Sequence, residues 1–171
     1  MTMQTDVLSG HIHQSGYVVQ QFRSRIKGLS VRGTATAGEI ALFSTEIDPV
    51  AATYAQSGAT VTITSTAHGL VTGDTVGISY QPGTGGAATS GNYVVTRLTA
   101  DTFTVVSPNP NTVTAGAVCN YVSNGTWLMT LDLAAGDTFQ NYFLIPGQGI
   151  LCVQQCYALM TNLNTCTVFY G

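Results

Sequence analysis

The sequence predicts an all-β protein: an antiparallel β-sandwich, jelly-roll-like, with a small β-barrel or sandwich module inserted into it. Three observations carry that expectation. Short runs rich in Val, Ile, Thr, Tyr and Phe recur along the chain, bounded by Gly, Pro, Asn and Asp. Helical periodicity is almost absent. Nineteen glycines among 171 residues supply the tight turns that many short strands require.

Taken in order, residues 1–16 read as a polar amino-terminal arm without periodicity. Residues 17–31 read as one long strand or two, with Phe22, Ser24 and Ile26 on one face and Arg23, Arg25 and Lys27 on the other. A turn at Gly33–Gly38 leads to a strand over Glu39–Phe43. Asp48 and Pro49 suggest a helical turn over Asp48–Gln56, as a cap and a first helical residue. The pattern then changes. TVTITS, TVGISY, NYVVTRL and TFTVV read as four strands, which is enough for a small barrel or sandwich within residues 58–116. After the loop SPNPNTVTAG, strands resume at AVCNYV, TWLMTLDL, DTFQNYFLI, ILCVQQCYALM and TVFYG. The expected organisation is therefore a discontinuous sandwich from residues 17–57 and 117–171, interrupted by the 58–116 module and its connecting loop.

Charge narrows the functional classes. Only 8% of residues are charged, against roughly 25% in a typical soluble domain. Four of the five basic residues, Arg23, Arg25, Lys27 and Arg32, fall within ten positions, and no charged residue follows Asp137. A charge-free terminal segment is a poor solvent surface and reads as core or subunit interface. A net charge of −3 argues against direct nucleic-acid binding. No run of about 18 apolar residues suggests a membrane helix. The first residues lack a basic segment followed by an apolar one, so no secretory signal is expected, and synthesis in a reducing cytoplasm is.

No residue pattern points to catalysis, a cofactor or a metal. His68 and Asp74 make a conceivable pair, but His68-Gly69-Leu70 reads better as a turn with a core leucine, and no nucleophile is suitably spaced. His11 and His13 share a face if extended, yet two imidazoles without a carboxylate cluster make a weak metal site. Cys152 and Cys156 read as buried thiols on one strand, too far apart to pair with each other. Cys166 on a neighbouring strand remains able to reach one of them. Gly83–Gly86 lacks the lysine of a phosphate loop. Eight acidic residues, widely scattered, offer little to glycan cleavage. Arg23, Arg25 and Lys27 are the one local candidate: either a docking stripe for an acidic partner or a solubilising face.

Two segments resemble known virion proteins. TSTAHGLVTGDTVGIS followed by SGNYVVTRLTADTFTV resembles a small β-module of tailed-phage virion proteins, with His68, Gly69, Leu70, Gly73, Asp74, Val76 and Ile78 in its first half. Gly91, Tyr93, Val95, Asp101, Phe103 and Val105 occupy the second; the loop QPGTGGAATS is longer than its counterpart. RSRIKGLSVRGTATAGEIALF and LIPGQGILCVQQCYALMTNLNTCTVFYG look like small virion proteins of marine tailed phages, notably cyanophages. The resemblance implies a non-catalytic virion component made in a bacterial host. The expectation is a homo-oligomer, by analogy a trimer, decorating the capsid and contacting the major capsid protein or another virion protein. The alternative is a tail or fibre component that binds a host receptor or glycan.

Overall fold

A computed structural model describes residues 7–20 and 23–171. Fourteen strands and no helix occur among these residues. They divide into two compact units, Met1–Glu46 with Leu128–Gly171, and Ile47–Trp127.

The discontinuous unit is a two-sheet antiparallel sandwich. Its first sheet runs β1 (Leu8–Ile12), β14 (Leu163–Tyr170), β3 (Ser24–Gly33), β11 (Gln140–Leu144), with β12 (Ile150–Cys152) also paired to β3. Its second runs β10 (Thr126–Leu133), β4 (Gly38–Ser44), β13 (Cys156–Thr161), β2 (Gly16–Val19). Ile26, Leu29, Val31 and Val168 from one sheet meet Val19, Ile40, Leu42 and Ala158 from the other in a common core. Part of the segment read as an arm is therefore a strand. Leu8–Ile12 pairs in register with Cys166–Tyr170, and Ile12 packs against the core. Phe22 lies outside the described residues.

The Ile47–Trp127 unit is built on one long hairpin, β5 (Val50–Thr64) and β9 (Thr102–Ser123). β6 (Thr75–Tyr80) adds to β9, β7 (Gly91–Val94) adds to β6, and the short β8 (Thr96–Arg97) pairs with β9. The helical turn expected over Asp48–Gln56 is instead the start of β5. Val50 pairs with Tyr121 and Tyr54 with Ala117, and Pro49 stands just before the strand, where its missing N–H costs no ladder bond. The divisions expected at residues 57/58 and 116/117 fall inside these strands, because one ladder runs on both sides of them.

Pro108 and Pro110, which made Ser107–Gly116 read as a loop, sit in an irregularity of β9. Thr60 pairs with Val106 and Gly58 already pairs with Asn111. The intervening residues need no ladder donors, and the Gln56 amide donates to the Asn109 and Gly58 carbonyls at 2.8 and 2.9 Å. This unit's core is aromatic. Tyr54 and Tyr80 rings stand 4.7 Å apart, and Phe103 lies 5.4 Å from Tyr121. The Tyr54 hydroxyl donates to the Gln81 carbonyl at 2.8 Å and accepts from the Ala88 N–H.

Burial sets an alkaline limit. The Cys119 and Cys166 thiols, one in each unit's core, are pushed up from 9.0 to about 12 by desolvation. Below 9 both folded and unfolded thiols hold their protons, so stability is fully present. Between about 9 and 12 the unfolded thiols ionise first, and stability falls by about 1.4 kcal/mol per pH unit for each group. Tyr80, also raised by burial, steepens the fall above its ordinary value of 10.0. Denaturation midpoints at pH 8 and pH 11 are expected to differ clearly, and Cys119→Ala to lessen the difference for the Ile47–Trp127 unit.

Candidate interaction face

The outward face of the first sheet is organised by β3. Strand alternation along it is broken once. Phe169 pairs with Gly28, but the next partner of β14, Tyr170, pairs with Ile26, leaving Lys27 as an extra residue. Ser24, Ile26, Leu29 and Val31 therefore turn inward and are buried. Arg25, Lys27, Gly28, Ser30 and Arg32 belong to the outward side. Arg32 thus joins Arg25 and Lys27 of the stripe read from the sequence, because the extra residue returns it to their face. Arg23 stands apart. It precedes the strand in a left-handed turn at φ +56°, with its N–H donating to the Val153 carbonyl at 3.1 Å.

The loop Ile145–Gly149 accommodates the irregularity. β11 and β12 both pair with β3, on either side of it, with Leu144 opposite Gly28 and Ile150 opposite Ile26. Between them, the Ile145 N–H donates to the Lys27 carbonyl at 2.9 Å, and Lys27 Nζ donates to the Gln148 carbonyl at 3.0 Å. Gly149 adopts φ +78°, with its α-carbon close against the Ile26 carbonyl. The I-P-G-Q-G-I-L segment singled out in the sequence is the turn that lets one strand edge continue past the extra residue.

Around the cations the face is apolar. Leu144 is 88% and Tyr142 71% exposed, and Leu151, opposite Arg25, is exposed as well. A concavity of about 360 Å³ opens over Gly28, lined by Val7, Lys27, Gly28, Tyr142, Leu144 and Phe169. The five strands of this sheet contain no aspartate or glutamate. Arg32 Nε donates to the Thr138 carbonyl at 3.1 Å, which fixes that side chain along the sheet. His11 on β1 meets Thr167 Oγ1 through Nδ1 at 2.7 Å. The face therefore combines exposed aromatic and aliphatic groups with positive charge only, a chemistry suited to an apolar surface edged by carboxylates.

The other residues weighed in the sequence lie elsewhere. His68 Nδ1 accepts the Leu70 N–H at 3.0 Å while its ring stacks edgewise on Phe103, and Asp74 accepts the Val71 N–H at 2.9 Å. Each closes its own turn, and they do not pair. His11 and His13 rings contact edge to face at 4.7 Å. No group of three or more His, Cys, Asp or Glu side chains able to hold a metal ion occurs among the described residues. The Asn92 side chain bridges the Trp127 backbone N–H and carbonyl at 2.7 and 3.1 Å, a tie that no sequence motif announced.

No model of a known protein family matches the chain. No curated protein matches it. Among solved structures it is similar to a Phage phi92 endosialidase, at 22% identity and a TM-score of 0.29, over 81% of this chain and 20% of that chain.

Proposed function

We propose that the protein is a non-enzymatic structural component of a tailed-phage virion, an oligomeric decoration protein that docks on the head shell. The cationic, apolar outer face of the first sheet carries this reading. In a chain with only five basic residues, three of them share a sheet face with exposed Tyr142, Leu144 and Leu151. Such a surface is costly to leave in water and gains from a partner. The family resemblance of the terminal segments points to a virion as the setting. The major capsid protein, offering carboxylates around an apolar patch, is the proposed partner, and a trimer the proposed assembly. Many copies, each bound weakly, would stabilise the shell by avidity.

The test is incorporation into particles. Tyr142→Ala with Leu144→Ala, and separately Arg25→Ser with Lys27→Ser, are each expected to lower occupancy about tenfold or more at limiting protein, since an anchoring side chain is worth about 2 kcal/mol. Val106→Ser, at a site 73% exposed on β9, is expected to leave incorporation unchanged. Wild-type incorporation by both double variants would sink the docking face. Immunogold with an antibody to the chain separates the locations. Label spread over the shell supports decoration; label confined to one vertex replaces it with the tail reading, where host receptor or glycan binding becomes the assay.

A further inference from the structure

Cys152 and Cys156 are separated by only Val153, Gln154 and Gln155, yet they do not share a strand. Cys152 closes β12 in the first sheet, opposite Ser24, while Cys156 opens β13 in the second, opposite Ser44. The chain crosses from sheet to sheet between them. Both side chains enter the core fully buried, and their thiols lie against each other there. The expectation that they point along one strand out of reach is thus corrected: the crossing, not the strand repeat, sets their separation.

Their surroundings differ. The Cys152 thiol contacts the Gln154 carbonyl at 3.1 Å, and hydrogen bonds from Cys156 and the Ser44 hydroxyl draw its pKa down. Ser44 Oγ also accepts the Gln154 N–H at 2.9 Å, which fixes the turn around the sulfur. Cys156 is held well above the ordinary thiol value by its bond to Cys152 and by burial. Of the two, Cys152 gives up its proton more easily and is the first to react. Access is through the edge. β12 has three residues, of which Leu151 is exposed as is the following Val153, so a brief local opening of β12 uncovers Cys152 while the other strands stay paired.

We propose that Cys152 and Cys156 are a site of oxidative modification, closing to an intramolecular disulfide that ties the two sheets when the protein meets a low-molecular-weight disulfide. The Cys152 thiol gives its proton to solvent and, as thiolate, attacks one sulfur of the reagent, forming a mixed disulfide and expelling one reagent thiolate, which takes up a proton. The Cys156 thiol gives its proton to solvent, and its sulfur attacks Cys152, expelling the second reagent thiolate, which is protonated in turn. Two protein thiols are oxidised and one reagent disulfide is reduced to two thiols, so electrons and protons balance. This inference stands apart from the virion reading and survives its failure.

The experiment uses oxidised glutathione on the full chain at pH 8. Cys119→Ser with Cys166→Ser leaves only the pair, and this variant is expected to pass from two titratable thiols to none. Its mass falls by about 2 Da and it retains no glutathione. Peptide mapping of oxidised wild-type protein is expected to join Cys152 to Cys156, which keeps the test open if the double variant folds poorly. Two thiols persisting, a glutathione adduct that never closes, or a wild-type map joining Cys166 to either partner overturns the proposal.

Discussion

Phe103→Ala is expected to destabilise the Ile47–Trp127 unit by about 3–5 kcal/mol, most of the stability a small unit possesses. Phe103 is fully buried on β9 opposite Ile63, with the His68 ring 5.1 Å and the Tyr121 ring 5.4 Å away. Truncation removes the plate on which both rings rest. It also opens a space at the centre of the unit, where β5, β8 and the His68 turn converge. Trp127, the single tryptophan, belongs to this unit, so its fluorescence during denaturant unfolding reads the loss directly. Val106→Ala on the same strand, in solvent, is expected to shift stability by less than about 0.5 kcal/mol. Similar midpoints for the two variants would mean that the aromatic cluster does not hold the unit together.

The second large effect is expected at a glycine. Gly149→Ala meets two obstacles at once. Its φ of +78° costs an alanine about 1–2 kcal/mol, and the new Cβ would press into the backbone carbonyl of Ile26. That carbonyl belongs to the core strand and cannot give way without parting β12 from β3. Gly147→Ala is the control. Its φ is +70°, yet nothing lies within 4 Å of the added carbon, so only the backbone strain remains. Hydrogen exchange should show the contrast, with amides of Ile150–Cys152 losing protection in Gly149→Ala and keeping it in Gly147→Ala. Equal effects would remove the steric part of the argument.

These two sites also show what could be read from the sequence. Phe103 lies in a run of β-branched and aromatic residues, and such runs made the all-β class legible throughout. Cues that depend on regular alternation were less reliable. Asp48 and Pro49 carry genuine helix-start chemistry, but the residues after them pair with Asn120 and Tyr121, and tertiary pairing overrode the local signal. Pro108 and Pro110 suggested a loop because an unbroken ladder would exclude them, whereas an irregular one does not. The candidate face was partly visible in Arg25 and Lys27. Its apolar half was not, since Tyr142, Leu144 and Phe169 come from strands more than a hundred positions away and only the register unites them. Cys152 and Cys156 were misjudged because the crossing at Val153–Gln155 looks, in sequence, like more strand.

Lys27 gives the arrangement of charge an arithmetic character. Two residues stand between the inward-facing Ile26 and Leu29 where plain alternation has one, and the surplus is taken up on the outer side. Loss of a single codon there would remove only that surplus. Leu29 and Val31 would still face the core and Arg32 the outside, while Phe169 and Tyr170 would meet consecutive partners and the Ile145–Gly149 turn would have no residue to step around. Relatives of this chain that lack that residue should therefore carry a shorter segment between their counterparts of Leu144 and Ile150.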